Sequence, residues 1–140
     1  MINPIYPCLW FESNSKAAAD FYCTIFPNSK IISVTPFVTI FELNGTKFMG
    51  LNGGPEFKFN EAVSFVISCE TQEEIDNYWE KLSDGGEEGK CGWLKDKFGI
   101  SWQVVPSILG KLMNDAEKAP RVMYAFMQMK KFDIQKLMDA

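Results

Sequence analysis

The feature that most constrains this chain is a pattern of elements that occurs twice. Residues 3–11, "NPIYPCLWF", read as a strand, and Glu12 to Ser15 supply a helix start. Ala18, Phe21, Tyr22, Ile25 and Phe26 then recur at the spacing of one apolar helix face. Pro27 and Asn28 end that helix. Strand-like stretches follow at 30–35, 37–43 and 47–52, with Asn44-Gly45 as a hairpin turn between the last two. The second half repeats the order. Residues 62–69 read as a strand, and Thr71 with Glu74 makes a capping box. Ile75, Tyr78, Trp79 and Leu82 form the next helix face, which Gly85-Gly86 stops. Short strands are predicted near 88–91, 92–96 and 100–105, with Phe98-Gly99 turning the last pair.

The two halves align residue by residue. Moved 57 positions along, Leu9 falls on Val66, Ala18 on Ile75, Tyr22 on Trp79 and Ile25 on Leu82. Moved 54 positions, Gly45 falls on Gly99, Phe48 on Trp102 and Leu51 on Val105. The predicted fold is therefore α+β: two tandem βαβββ modules followed by C-terminal helices. The chain reads as a single domain over 1–140, with module one at about 1–55, module two at about 60–106 and a helical tail at about 107–140. In the tail, Val122, Ala125, Phe126 and Met129 form an apolar stripe after Pro120, and Asp133 is placed to cap a last helix. That stripe either packs on its own domain or meets a second chain. One helix covers one face of each sheet, so the other face stays open, to enclose a cleft or to close on a partner.

Composition narrows the function classes. Eighteen acidic against 14 basic residues give a net charge of −4, which argues against nucleic-acid and anionic-membrane partners. A dimer would double that charge and could attract cationic small molecules. The chain has no histidine, which removes a Ser-His-Asp triad, a Cys-His pair and an H-E-x-x-H zinc site. Cys8, Cys23, Cys69 and Cys91 form no C-x-x-C pair and read as reduced thiols. The N-terminus lacks the pattern of a signal peptide, and no run is long enough to span a membrane, so a cytoplasmic location is expected.

Three stretches resemble a known family: "FELNGTKFMGLNGGP" (41–55), "SFVISCETQEEIDNYWEKLSDGG" (64–86) and "CGWLKDKFGISWQVVP" (91–106). Together with the paired βαβββ layout they are similar to the vicinal oxygen chelate superfamily of glyoxalase I, extradiol dioxygenases and bleomycin-resistance proteins. Within it they look like the PhnB-like branch, often labelled 3-demethylubiquinone-9 3-methyltransferase. The tail at 121–137 also resembles that branch. One departure is the short loop around Thr35-Pro36, where related sequences often carry a Gly-rich insertion.

The resemblance implies four metal-ligand positions, one on each of four strands, filled by His, Glu or Gln. Spacing puts them at Pro7, Met49, Ser64 and Gln103. Only Gln103 is an ordinary ligand of such a site, and a shift by one residue brings in Cys8, Phe65, Trp102 or Val104. No metal and no cofactor are therefore expected. Strand alternation puts Ser101, Gln103 and Val105 on one face, with Ser64, Val66 and Ser68 beside them. Pocket candidates are Pro7, Leu9, Met49, Ser64, Ser68, Trp93, Asp96, Ser101 and Gln103. Gln103 is either a pocket group or satisfied by a neighbouring strand. Asp96 is either catalytic or a turn cap, and Trp93 either lines the pocket or packs. Two function classes follow. One is a metal-free homodimeric protein that binds an unidentified small molecule, as bleomycin-resistance proteins do. The alternative is an enzyme, either the methyltransferase of the family label or a lyase or isomerase using Glu42, Asp96 or a cysteine. No Gly-rich strand-to-helix loop of the kind that cradles S-adenosylmethionine is visible, so whether catalysis occurs stays open.

Overall fold

The computed structural model describes residues 1–140. Its elements run β1 (Cys8–Phe11), α1 (Ser15–Ile25), β2 (Lys30–Val34), β3 (Val38–Leu43) and β4 (Thr46–Asn52) in the first half. The second half runs β5 (Ser64–Cys69), α2 (Gln72–Ser83), β6 (Glu87–Glu88), β7 (Trp93–Lys95) and β8 (Ser101–Pro106). The tail adds α3 (Leu109–Met113), α4 (Ala119–Met127) and α5 (Ile134–Met138). The fold is the α+β arrangement of two tandem βαβββ modules with C-terminal helices. The chain divides into two compact units, Met1–Phe59 and Asn60–Ala140. No helix is long and apolar enough to cross a membrane.

Each unit holds one four-stranded sheet, and the two sheets have the same strand order, β1-β4-β3-β2 and β5-β8-β7-β6. The first and last strands of each module pair in parallel, β1 with β4 and β5 with β8. The first strand is shorter than the sequence suggests. It begins at Cys8 and not at residue 3, because Pro4 and Pro7 have no N–H to give to a ladder. The β2–β3 connection is short, as read from the sequence. Thr35 closes it by accepting from the backbone N–H groups of Phe37 and Val38.

In the first unit, Ala18, Ala19, Tyr22 and Ile25 of α1 are buried against Phe41 and Phe48 of the sheet. Phe41 and Phe48 stack at 5.5 Å, and Tyr22 lies 6.4 Å from Phe41. Gly50 permits this close approach, since a Cβ there would stand 2.9 Å from the Cβ of Ser15. The Ser15 and Thr39 hydroxyls, both buried, hydrogen-bond at 2.9 Å across the same contact.

In the second unit, the predicted capping box is present at Thr71 and Glu74. Ile75, Trp79 and Leu82 of α2 are buried with Leu94, Trp102 and Val104 of the sheet. The tail completes this core with Val122, Phe132 and Leu137, all buried. Asp133 caps α5 as expected, accepting from the backbone N–H of Lys136. Gln72 clips the tail to the start of α2. Its Nε2 donates to the Phe132 carbonyl at 2.9 Å, and its Oε1 accepts from the Ile134 N–H at 2.8 Å. The backbone turns through left-handed geometry at Cys91 and Gly92 (φ 55 and 81). A side chain at Gly92 would strike the Phe132 ring at 2.5 Å.

The β7–β8 turn is organised by Asp96, which is 3% exposed. Its Oδ1 accepts from the Phe98 N–H at 2.8 Å and the Ile100 N–H at 3.1 Å. Its Oδ2 accepts from Trp102 Nε1 at 2.8 Å. Of the two roles open to Asp96 from the sequence, the geometry is that of the turn cap, with both carboxylate oxygens engaged inside the hairpin.

Two variants test these contacts. Asp96→Ala removes the acceptor of three donors, two of them backbone, and is expected to cost roughly 3 kcal/mol of stability, read as a lower urea midpoint. Gln72→Ala is expected to cost about 1–2 kcal/mol and to speed amide exchange at Phe132–Leu137 while leaving α1 unchanged. Equal exchange across both helices would remove the clip.

Candidate functional site

Alternation along each strand decides which side chains face the helix and which face away. In the first sheet, Leu9 and Phe11 of β1 lie in the core with Phe41, Phe48 and Gly50. Their register partners and neighbours, Cys8 and Trp10 on β1, Met49 and Leu51 on β4, and Val38 and Ile40 on β3, take the open face. This corrects the expectation for β1. Leu9 is 8% exposed and packs inward, and Pro7 precedes the strand, its carbonyl accepting from the Met49 N–H. Cys8, and not Pro7, stands directly beside Met49.

The reason is a difference of one residue between the modules. Met49 and Gln103 correspond, and their partners on the first strand of each module are Cys8 and Val66. The first strands are therefore offset by 58, while the helices keep 57: Ala18, Tyr22 and Ile25 and their counterparts Ile75, Trp79 and Leu82 are all buried. Module one has one more residue between strand and helix. Trp10 is held on the open face by its Nε1, which donates to the Gly54 carbonyl at 2.9 Å, and by an edge contact with Phe57.

In the second sheet, Trp102, Val104 and Leu94 face α2. Ser64, Val66 and Ser68 of β5, Ser101, Gln103 and Val105 of β8, and Trp93 and Lys95 of β7 share the opposite face. The structure thus brings Ser64, Ser68, Ser101 and Gln103 together, as alternation suggested, and adds Trp93, whose role the sequence left open. Val66 and Ser68 are open to solvent, and Gln103 and Trp93 are half-buried. Gln103 Nε2 donates to Ser64 Oγ at 3.0 Å, so one end of its amide is satisfied by the neighbouring strand. Asp96 lies in the turn and contributes nothing to this face.

Two residues on this face were missed in the sequence. Lys95 is the register partner of Ser101, and its ammonium pairs with the Glu61 carboxylate. That pairing holds the Glu61 carboxyl below its usual range and raises the Lys95 ammonium. Lys95 could have been found by stepping two residues along the strand from Trp93. Glu61 could not, because it sits in an irregular segment ahead of β5.

The donors on these faces do not suit a divalent metal. Module one offers a thiol and a thioether, Cys8 and Met49, and module two a hydroxyl and an amide, Ser64 and Gln103, already hydrogen-bonded to each other. Hard cations need carboxylate or several oxygen ligands, and borderline ones need imidazole or several thiolates. No group of three or more His, Cys, Asp or Glu side chains in the chain could hold a metal ion. Three of the thiols are not activated either. Burial pushes Cys8 and Cys23 up, and burial with the nearby Glu74 carboxylate pushes Cys69 up to about 11.

The comparisons with known proteins agree with this fold. The family model for 3-demethylubiquinone-9 3-methyltransferase matches residues 3–105. The solved PhnB protein from Bacillus cereus, which carries the same methyltransferase label, is 32% identical over 74% of this chain and 99% of that one, with a TM-score of 0.69. Two more distant structures share the fold. The fosfomycin resistance protein FosX from Listeria monocytogenes, solved with Mn(II) and sulfate, is 17% identical over 81% of this chain and 98% of its own, with a TM-score of 0.61. Protein PA1353 from Pseudomonas aeruginosa is also 17% identical, over 75% of this chain and 98% of its own, with a TM-score of 0.61. No curated protein matches the chain. With its paired modules and these similarities, the chain belongs to the PhnB-like 3-demethylubiquinone-9 3-methyltransferase family of the vicinal oxygen chelate superfamily.

Proposed function

We propose that this protein is a metal-free, homodimeric small-molecule binding protein that acts in the cytoplasm. The observation that carries the reading is the donor set of the open faces. At the positions where the superfamily is expected to place metal ligands, this chain has Met49 beside Cys8 in one module, Cys8 standing where Pro7 was expected, and Ser64 and Gln103 in the other. The superfamily chemistry that uses a divalent ion therefore has no ligand set to work with. What the second sheet keeps is a half-buried tryptophan beside a glutamine and two serines, Trp93, Gln103, Ser64 and Ser101. Apolar walls with a few convergent polar groups are the usual lining of a small-molecule site. The exposed apolar side chains Ile32, Val34 and Phe37 of the first unit supply surface for a second copy. The four free cysteines suit a reducing compartment.

Methyl transfer, the activity in the family label, gains less support. The two strand-to-helix connections, residues 12–14 and 70–71, contain no glycine. In the second, the Glu74 side chain already accepts from the backbone N–H groups of Glu70 and Thr71. Neither connection offers a backbone cradle of the kind a nucleotide-like cofactor uses.

The test is native mass spectrometry with elemental analysis after the protein is loaded with Mn(II), Ni(II) and Zn(II) and dialysed. The expected result is a species of twice the 15.9 kDa chain mass. Less than about 0.1 metal per chain is expected to remain, given these donors. A thermal-shift screen of small organic compounds is then expected to yield stabilising hits. One tightly held divalent ion per chain, or methylation of a quinol precursor with S-adenosylmethionine, would overturn the reading.

A further inference from the structure

We propose that the open face of the second sheet carries a carboxylate-recognition site, built on Lys95 and Ser101, in which Glu61 of the chain itself holds the place of a ligand's carboxylate. The inference rests on the reading that this face binds a small molecule, and it names the chemical class.

The first observation is an unpartnered group. Ser101 is 1% exposed, and its Oγ is the one buried side-chain polar atom of the chain with no hydrogen-bond partner. Native interiors seldom leave such a group unpaired without a reason. The second observation is where it lies. Ser101 lines a concavity of about 210 Å³ together with Trp93, Lys95, Glu61, Glu87 and Glu88, the last with its carboxylate engaged by the Trp79 indole. Lys95 is opposite Ser101 in register, so both side chains leave the sheet on the same side.

The third observation identifies the charge. A carboxylate already sits on the Lys95 ammonium, that of Glu61. Glu61 is 60% exposed and lies outside the strands, while Lys95 is 36% exposed. An ion pair with both ends this open contributes little and exchanges readily. Glu61 makes no hydrogen bond to Ser101, so the chain's own carboxylate answers the lysine and leaves the hydroxyl unanswered. A ligand carboxylate with one oxygen on Lys95 and the other accepting from Ser101 Oγ would satisfy both.

The sign of the charge follows from the same contacts. Lys95 is also the register partner of Glu87. An incoming carboxylate that displaces Glu61 keeps one carboxylate on Lys95, while the Glu61 side chain, 60% exposed, turns out to solvent. A cationic ligand would instead bring a second positive charge against Lys95. Trp93 forms a wall of the concavity and is the register partner of Gln103, whose amide has one end left after Ser64. The ligand class is therefore a small aromatic carboxylate: a planar ring against Trp93, an acid group on Lys95 and Ser101.

The experiment is a two-dimensional NMR titration of the full chain with benzoate, benzamide and benzylammonium. Benzoate is expected to give saturable shifts at Lys95 and Ser101. Its affinity is expected to rise about fivefold in Glu61→Gln, where the internal competitor is neutral. It is expected to fall about fivefold in Ser101→Ala, and the saturable shifts are expected to vanish in Lys95→Met. Binding of benzamide or benzylammonium as tight as that of benzoate would overturn the carboxylate assignment and leave the binding reading standing. Absence of saturable benzoate shifts in both the wild type and Glu61→Gln would overturn it as well, while hits in the compound screen would still support the broader reading.

Discussion

One helix can cover one face of a four-stranded sheet and no more. That limit organises both halves of this protein. The crossover helix carries the chain from the first strand of each module to the far edge of the sheet, and two antiparallel steps return it, so β1 meets β4 and β5 meets β8 in parallel. Strand alternation then divides every residue between two fates. Phe41, Phe48, Trp102 and Val104 pack under a helix. Met49, Gln103 and their neighbours are left on the other face, where any recognition chemistry of the fold must be done.

The two modules are not equally equipped for that work. The β3–β4 hairpin of the first turns on Asn44-Gly45, both with positive φ (50 and 83), and is held from outside by the exposed Ser29 hydroxyl, which accepts from the Asn44 N–H at 3.1 Å. The corresponding β7–β8 hairpin carries Asp96, whose carboxylate bridges the turn backbone and the Trp102 indole. Lys95 and Ser101 flank this clamp directly in sequence and oppose each other in register. A buried carboxylate with three donors fixes the hairpin far more firmly than turn propensity alone. The tail reinforces the same module through Phe132 and the Gln72 clip. Rigidity is thus concentrated beneath the face that carries the polar groups, where a binding site gains by being held in place beforehand.

How much of this was legible in the sequence depended on how local the signal was. The helices were readable because apolar spacing, the Thr71–Glu74 box and the Asp133 cap all lie within a few residues of each other. The module pattern was readable because it occurs twice. The register of β1 was not, because a residue added between strand and helix leaves the helix pattern intact and moves every strand side chain to the opposite face. Cys8 and Trp10 took the positions expected of Pro7 and Leu9 for that reason alone. The strand expected from residue 3 failed on a local rule that was available, since two prolines interrupt it. The Asp96–Trp102 bond and the unpartnered Ser101 hydroxyl were out of reach, because the first depends on indole orientation and the second on what does not approach it.

The net charge shows how a total can mislead about a site. At −4, the chain as a whole favours cations, and on that ground the sequence admits a cationic ligand without naming one. But charges on an exposed surface are screened over about 8 Å at physiological ionic strength. Inside that distance, a ligand on the second sheet meets Lys95 and its two carboxylate neighbours, Glu61 and Glu87, and not the average of the surface. A site that already contains an ammonium–carboxylate pair is selective for what can replace one member of it. The member attached to a regular strand, opposite a buried hydroxyl, is the lysine. The member on an irregular, solvent-exposed segment is the glutamate. Exchange therefore favours an incoming carboxylate over an incoming amine, and the acidic surface costs such a ligand association rate more than it costs affinity.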